Sequence, residues 1–123
     1  MEANYNQKVK IDWKVLAICG QEERDDPEAV IYYKTKGYVK FGKGEIVVIG
    51  RTKNATKITD LINTFGRMLA EGEEFLPDCV HTIVNSHGSV DYKFNIIYGE
   101  YENGEKFIQL LPDFEREGLR HFR

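Results

Sequence analysis

The chain has 123 residues, of which 41% are apolar, 12% aromatic and 30% charged. This length predicts a single domain over residues 1–123, and the composition excludes both a disordered chain and a helix of about 20 apolar residues that could span a bilayer. The 17 basic and 20 acidic residues give a net charge of −3, which does not favour nucleic acid at long range.

The first half of the chain has the patterns of β-structure. Residues 8–19 carry apolar side chains at the odd positions, which predicts a strand with one buried face. Residues 29–35 are β-branched and aromatic, which predicts a second strand. Residues 38–41 and 45–49 flank a glycine-rich segment, residues 42–44, and predict a hairpin.

One amphipathic helix is predicted over residues 56–71, because its apolar residues recur at the spacing of one helical face. These residues are Ile58, Leu61, Ile62, Phe65, Met68 and Leu69. Gly72 suits the C-terminal end of the helix. We expect the apolar stripe to pack on a sheet.

The second half predicts another hairpin, with strands at 79–85 and 90–98. A final strand follows at 107–111, and Asp113 then begins a short helix that extends to about residue 120. Together the elements predict an α+β fold: a mainly antiparallel sheet packed by one amphipathic helix, with a short C-terminal helix.

No catalytic motif occurs in the sequence, neither a phosphate-binding glycine loop nor the glycine-flanked serine of hydrolases. Cys79 and His81 are spaced to share one face of a strand, and His87 follows in the turn. Their spacing matches no standard zinc pattern. We therefore predict no catalytic residue, no metal and no cofactor.

Two cysteines, Cys19 and Cys79, lie 60 residues apart, and the N-terminal residues lack the basic and apolar regions of a secretory signal. These features predict free thiols in a reducing compartment, and hence a cytoplasmic protein.

Four features resemble, in order, the bacterial YezG-like antitoxin and immunity proteins. Trp13-Lys-Val-Leu-Ala resembles the first strand of that family, and Val30-Ile-Tyr-Tyr-Lys-Thr-Lys-Gly37 its aromatic second strand. The amphipathic helix follows in the expected place, and residues 81–94 resemble the family's hairpin. The resemblance covers residues 13–98 and implies a small cytoplasmic α+β protein that binds and neutralises a cognate toxin domain.

Such an inhibitor needs no catalytic residue of its own. Many secreted toxin domains are nucleases with basic clefts, and carboxylates presented to such a cleft increase the association rate and the specificity. We therefore predict an acidic partner-binding surface with an aromatic anchor, Phe75 or Tyr101. The preferred acidic group is Glu71, Glu73, Glu74 and Asp78, and the second is Glu100, Glu102 and Glu105.

Two alternatives stay open. Residues 34–57 are rich in basic residues, from Lys34 to Lys57, and aromatic residues lie among them, so this stretch could bind nucleic acid. The strand alternation also explains the pattern, because it sends the lysines outward and the aromatic residues inward. A small enzyme or ligand-binding domain, with an apolar pocket between helix and sheet, is the other alternative.

Overall fold

The computed structural model describes residues 10–115. Within this range six strands form one sheet, and the longer of two helices packs on it. The strands are β1 (Lys14–Ile18), β2 (Val30–Lys36), β3 (Glu45–Arg51), β4 (His81–Val84), β5 (Val90–Glu100) and β6 (Lys106–Pro112). The helices are α1 (Gln21–Arg24) and α2 (Ala55–Ala70), and short 3-10 helices cover Val39–Phe41 and Thr52–Asn54.

The sheet has the order β1-β2-β3-β6-β5-β4, so each half of the chain forms three consecutive antiparallel strands. The two halves meet where β3 pairs with β6 in parallel. A parallel pair needs a crossover connection, and α2 begins that connection. The α+β fold is confirmed, but the sheet is mixed rather than purely antiparallel.

Helix α2 matches its prediction to within one residue at each end. Its buried face consists of Ile58, Leu61, Ile62, Phe65, Gly66 and Leu69. At the C-terminal end Gly72 has φ +104°, and the Glu73 N–H donates to the Met68 carbonyl at 3.1 Å. This left-handed turn ends the helix as Gly72 was predicted to do.

Trp13, at the start of β1, fixes that strand against α2. Its indole N–H donates to Asn63 Oδ1 at 2.9 Å, and its ring packs edge-on against Tyr38 at 4.9 Å. The Tyr38 hydroxyl donates to the Gly66 carbonyl at 2.6 Å. A Cβ at Gly66 would lie only 3.0 Å from the Trp13 ring, so the missing side chain allows the helix to approach this closely.

The predicted strand at residues 38–41 is wrong. Three of these residues, Val39–Phe41, form a 3-10 helix within the loop that joins β2 to β3. The Glu45 carboxylate accepts the backbone N–H groups of Gly37, Tyr38 and Val39 at 3.0–3.2 Å, which holds this loop in place of strand pairing. The hairpin therefore pairs β2 with β3 directly.

The described chain ends at Glu115, whose side chain is only 5% exposed. Its carboxylate accepts the Arg51 backbone N–H at 3.0 Å, Arg51 Nε at 3.1 Å and Asn54 Nδ2 at 2.6 Å. Arg51 also donates to the Phe114 carbonyl at 3.0 Å. Residues 113–115 are helical as predicted, and the rest of the predicted terminal helix lies outside the described residues.

Candidate functional site

The candidate surface lies at one end of the sheet, which we call the turn end. Strands β3 and β6 begin there, and β5 and α2 end there. Three connections therefore meet at the turn end: the loop of residues 37–44, the loop of residues 71–80 and the turn of residues 101–105. The predicted acidic residues lie in two of these connections, except Glu100, which is the last residue of β5.

The first acidic group lies in the loop of residues 71–80, and its carboxylates are exposed. Glu73 and Glu74 line a depression together with Lys43 and Tyr98. The Tyr98 hydroxyl donates to the Phe75 carbonyl at 2.7 Å, which ties this loop to β5. The remaining members, Glu71 and Asp78, lie on the same loop.

The second acidic group is at the end of β5. Glu100 lines a neighbouring depression that shares Lys43 and Tyr98 with the first, and Glu102 is exposed in the following turn. The fold therefore brings Glu73 and Glu74 near Glu100, around the same pair of residues, although about a fifth of the chain separates them. Sequence reasoning missed Lys43 and Tyr98, because only the tertiary fold places them there.

The carboxylates of this surface are exposed, and two lysines, Lys43 and Lys106, line the same depressions. None of the ion pairs within residues 10–115 includes Glu73, Glu74, Glu100 or Glu102. Lys43 is also absent from these pairs. Exposed like charges at short spacing raise the local negative potential, which attracts a basic partner.

Phe75 does not serve as the predicted surface anchor, because it is only 8% exposed. Its ring packs 4.9 Å from that of Phe65 and 5.2 Å from that of His81. The neighbouring Leu76 is 66% exposed and lines the same depression as Glu73 and Glu74. Leu76 is thus one of two large aliphatic residues that the loop exposes, the other being Val80 at 54%. The sequence could not show which of the adjacent Phe75 and Leu76 turns inward.

Tyr101 is half-buried and turned away from the acids, towards the sheet face that α2 leaves uncovered. Its hydroxyl oxygen lies 2.6 Å from that of Tyr32, and its ring packs 4.8 Å from that of Phe107. Lys34 Nζ lies 5.8 Å from the centre of the Tyr101 ring. Tyr101 is therefore held by the protein itself, which makes it a poor anchor for a partner.

Burial and the hydrogen bond to Tyr101 raise the pKa of Tyr32 to about 12. Burial also raises the pKa of Tyr38 and Tyr92. Tyr32 therefore loses its proton at higher pH in the folded chain than in the unfolded chain. Its contribution to the free energy of unfolding is complete below pH 10 and is lost as the pH rises towards 12. We expect the free energy of unfolding to fall across this window, in step with phenolate absorbance.

The matched variant for this alkaline transition is Tyr32→Phe, which should move its midpoint to higher pH. The measurement is urea unfolding at successive pH values, with phenolate absorbance recorded in parallel. An unchanged midpoint in the variant would contradict a role for Tyr32.

The basic stretch of residues 34–57 is divided between the two ends of the sheet. Lys34 and Lys43 lie at the turn end. At the other end Arg51 pairs with Glu115 and Lys53 pairs with Glu28, while Lys57 Nζ lies over the Phe114 ring at 5.7 Å. The stretch is therefore divided: Lys36 and Lys40 lie with Lys34 and Lys43 at the turn end, and its other basic residues lie at the opposite end.

Cys79 and His81 do come together, but Cys79 lies in the loop before β4 and not on the strand as predicted. Cys79 Sγ lies 3.6 Å from His81 Nε2, and that nitrogen lies 2.7 Å from the Leu76 carbonyl oxygen. The imidazole thereby holds the backbone of the loop that presents Leu76. In the part of the chain that the structure describes, no three His, Cys, Asp or Glu side chains are grouped to hold a metal ion.

Comparison of the chain with protein-family models, curated proteins and solved structures finds no match. The resemblance to the YezG-like proteins therefore stays a prediction. Among the described residues, no helix is long and apolar enough to cross a membrane.

Proposed function

We propose that this protein is a cytoplasmic immunity protein or antitoxin, which binds and neutralises a cognate bacterial toxin domain through the acidic surface at the turn end. The observation that carries the proposal is that Glu73 and Glu74 lie close to Glu100, around one pair of residues, Lys43 and Tyr98, and that none of these three carboxylates belongs to an ion pair within residues 10–115. No step in such a function requires catalysis by this chain.

The chemistry of the surface fits a basic partner, and a nuclease domain is the partner class that fits best. A nuclease must attract phosphates, so its cleft carries positive charge. Carboxylates that occupy such a cleft compete with the phosphates of the substrate. Long-range attraction raises the association rate, and close charge pairs give specificity.

Leu76 supplies the apolar part of the contact. Interfaces derive most of their affinity from a few residues that become fully buried, and charged residues around them contribute mainly to rate and specificity. Leu76 stands 66% exposed between the acids, on a backbone fixed by His81. We expect it to be buried in the complex, with Glu73 and Glu74 around it.

The test requires the partner, which is first captured on the tagged protein from a lysate of its native host after nuclease treatment. The purified partner is then titrated against the wild type and against the double variant Glu73→Lys/Glu74→Lys. We expect affinity at low salt to fall by at least about tenfold, mainly through a slower association rate. The difference should shrink as salt is added, because salt screens exposed charges.

The control is Glu22→Lys/Asp25→Lys, which makes the same change in net charge on exposed residues near α1. If both double variants weaken binding equally, net charge rather than this surface determines association. If neither changes rate or affinity, the acidic surface is not the binding site. If every captured partner is lost on nuclease treatment, nucleic acid is the partner instead.

A further inference from the structure

Strand β5 is much longer than β4, the strand that borders it on the outer side of the sheet. β5 has 11 residues and β4 has four, and their pairing ends where His81 lies opposite Phe94. Among the described residues, none forms a strand on the outer side of residues 96–100. We call these five residues, about 17 Å of strand, the β5 edge.

The hydrogen bonds of the adjoining turn show which backbone groups of the β5 edge point outward. The Tyr101 N–H donates to the Glu105 carbonyl at 2.7 Å, so these residues form a hydrogen-bonded pair between β5 and β6. Such pairs alternate along antiparallel strands, so the odd-numbered residues of β5 bond to β6. The outward backbone groups are those of Ile96, Tyr98 and Glu100. Within residues 10–115 no other backbone group bonds to them.

The β5 edge lacks most of the features that keep exposed strand edges from pairing with other chains. It contains neither proline nor lysine, and its one charged residue, Glu100, lies at its end. Ile97 is 45% and Tyr98 37% exposed, and strand alternation places them on opposite faces of the sheet. An exposed edge of this kind is a template for an added strand.

The loop of residues 71–80 borders the β5 edge but does not pair with its backbone. Two side chains of β5 hold this loop: the Tyr98 hydroxyl donates to the Phe75 carbonyl at 2.7 Å, and Asn95 Nδ2 donates to the Cys79 carbonyl at 3.3 Å. In the described part of the chain, no backbone hydrogen bond joins the loop to β5. The loop therefore lies beside the edge on the α2 side, where it exposes Leu76.

The charges beside the β5 edge favour a basic partner. Glu100 belongs to the edge and points to the α2 side, and Glu73 and Glu74 line the neighbouring depression on that side. The two lysines that line these depressions belong to elements inward of β5. Lys106 is on β6, and Lys43 is in the loop before β3. A strand added on the outer side therefore lies next to the Glu100 carboxylate.

We infer that the toxin domain binds by adding an extended strand to the β5 edge, in line with β4. Its backbone bonds to Tyr98 and Glu100, a lysine or arginine lies opposite Glu100, and an apolar side chain lies opposite Ile97. These two side chains point to opposite faces, so the recognised segment is basic on one face and apolar on the other. The inference rests on the proposed function and specifies how the partner is held.

Amide hydrogen exchange tests the added strand, because alternate residues of the β5 edge should respond differently. In the free protein the amides of Tyr98 and Glu100 should exchange quickly, and those of Ile97 and Gly99 slowly, because the latter bond to β6. The purified toxin domain should slow exchange at Tyr98 and Glu100 by at least about tenfold. Slow exchange at all four amides of the free protein would show that the chain itself covers this edge, and would overturn the inference.

Two matched variants test the same contact by affinity. Ile97→Lys and Ile49→Lys make one substitution at two isoleucines that are both 45% exposed on the face opposite α2, so both variants should keep the circular dichroism spectrum of the wild type. Ile97→Lys places a lysine on the edge, where it opposes strand addition, and affinity for the toxin domain should fall by at least about tenfold. Ile49→Lys lies on the central strand β3 and should keep the affinity of the wild type.

The outcomes separate this inference from the proposed function. If Glu73→Lys/Glu74→Lys weakens binding of the toxin domain and Ile97→Lys does not, the proposed function stands and the added strand is wrong. Equal losses in the two isoleucine variants would place the contact on the sheet face, which also overturns the inference. If no partner protein is captured, the proposed function fails, and the inference fails with it.

Discussion

The Glu115→Gln variant is expected to lower the free energy of unfolding by about 3 kcal/mol. The glutamine keeps the size of the side chain but removes the negative charge, so Arg51 loses the partner that faces it at 3.1 Å. The amide nitrogen also replaces either Oε2, which accepts the Arg51 backbone N–H and Asn54 Nδ2, or Oε1, which accepts Arg51 Nε. Buried donors without acceptors account for most of the expected loss.

Urea unfolding monitored by tryptophan fluorescence measures this loss, since Trp13 is the single tryptophan. The control is Glu28→Gln, the same substitution at a carboxylate that also lies near Arg51, at 3.9 Å, and pairs with Lys53. The pKa of Glu28 is lowered by its hydrogen bond to Lys53, but the pair is exposed to solvent and screened. We expect this variant to be close to the wild type, and equal losses in the two variants would show that burial of Glu115 is unimportant.

The Gly44→Ala variant is expected to lower the free energy of unfolding by about 3 kcal/mol, for a different reason. Gly44 has φ +100°, a conformation that alanine rarely adopts, and a Cβ there would overlap the backbone carbonyl of Lys106. Lys106 begins β6, next to the parallel pairing of β3 with β6. The substitution therefore forces apart the two strands that join the halves of the sheet.

Gly42→Ala separates the two causes. Gly42 has a similar φ of +91°, but a Cβ there would meet no atom within 4 Å. Its cost should be limited to the backbone conformation, about 1 kcal/mol. Thermal unfolding of both variants, at equal concentration, gives the comparison. Equal losses would mean that contact with Lys106 contributes nothing.

Local patterns were sufficient where a single periodicity dominates. The apolar stripe from Ile58 to Leu69 predicted α2, because only one helical face collects those residues. The hairpin of β4 and β5 followed from alternation on either side of a polar turn. In both cases the signal lies within a few residues, and tertiary packing agrees with it.

The errors arose where a distant residue decides the local structure. Glu45 accepts three backbone N–H groups and thereby holds the loop in which Val39–Phe41 form a 3-10 helix, which strand propensity alone could not show. Phe75 and Leu76 are both apolar and adjacent, and the space beside Phe65 decides which is buried. The parallel pairing of β3 with β6 likewise depends on the path of the chain after α2.

The candidate site was predicted in part. The acidic residues were identified from their spacing, but their meeting around Lys43 and Tyr98 depends on the order of strands in the sheet. Tyr101 was predicted on the binding surface, and its bond to Tyr32 instead turns it towards the sheet face that α2 leaves uncovered.

The parallel pairing of β3 with β6 has a consequence for how the protein folds and responds to a partner. Each half of the sheet is a meander of neighbouring strands that can form from local contacts, whereas closing β3 on β6 joins residues about 60 positions apart. The entropy cost of loop closure in this domain therefore falls mainly on one step.

The acidic surface takes Lys43 from the first half and Glu73 and Glu100 from the second. Any ligand that contacts all three therefore binds only the form in which β3 is paired with β6. Such a ligand stabilises the pairing of β3 with β6 against opening. By the same linkage, a change that weakens this pairing weakens binding of the ligand.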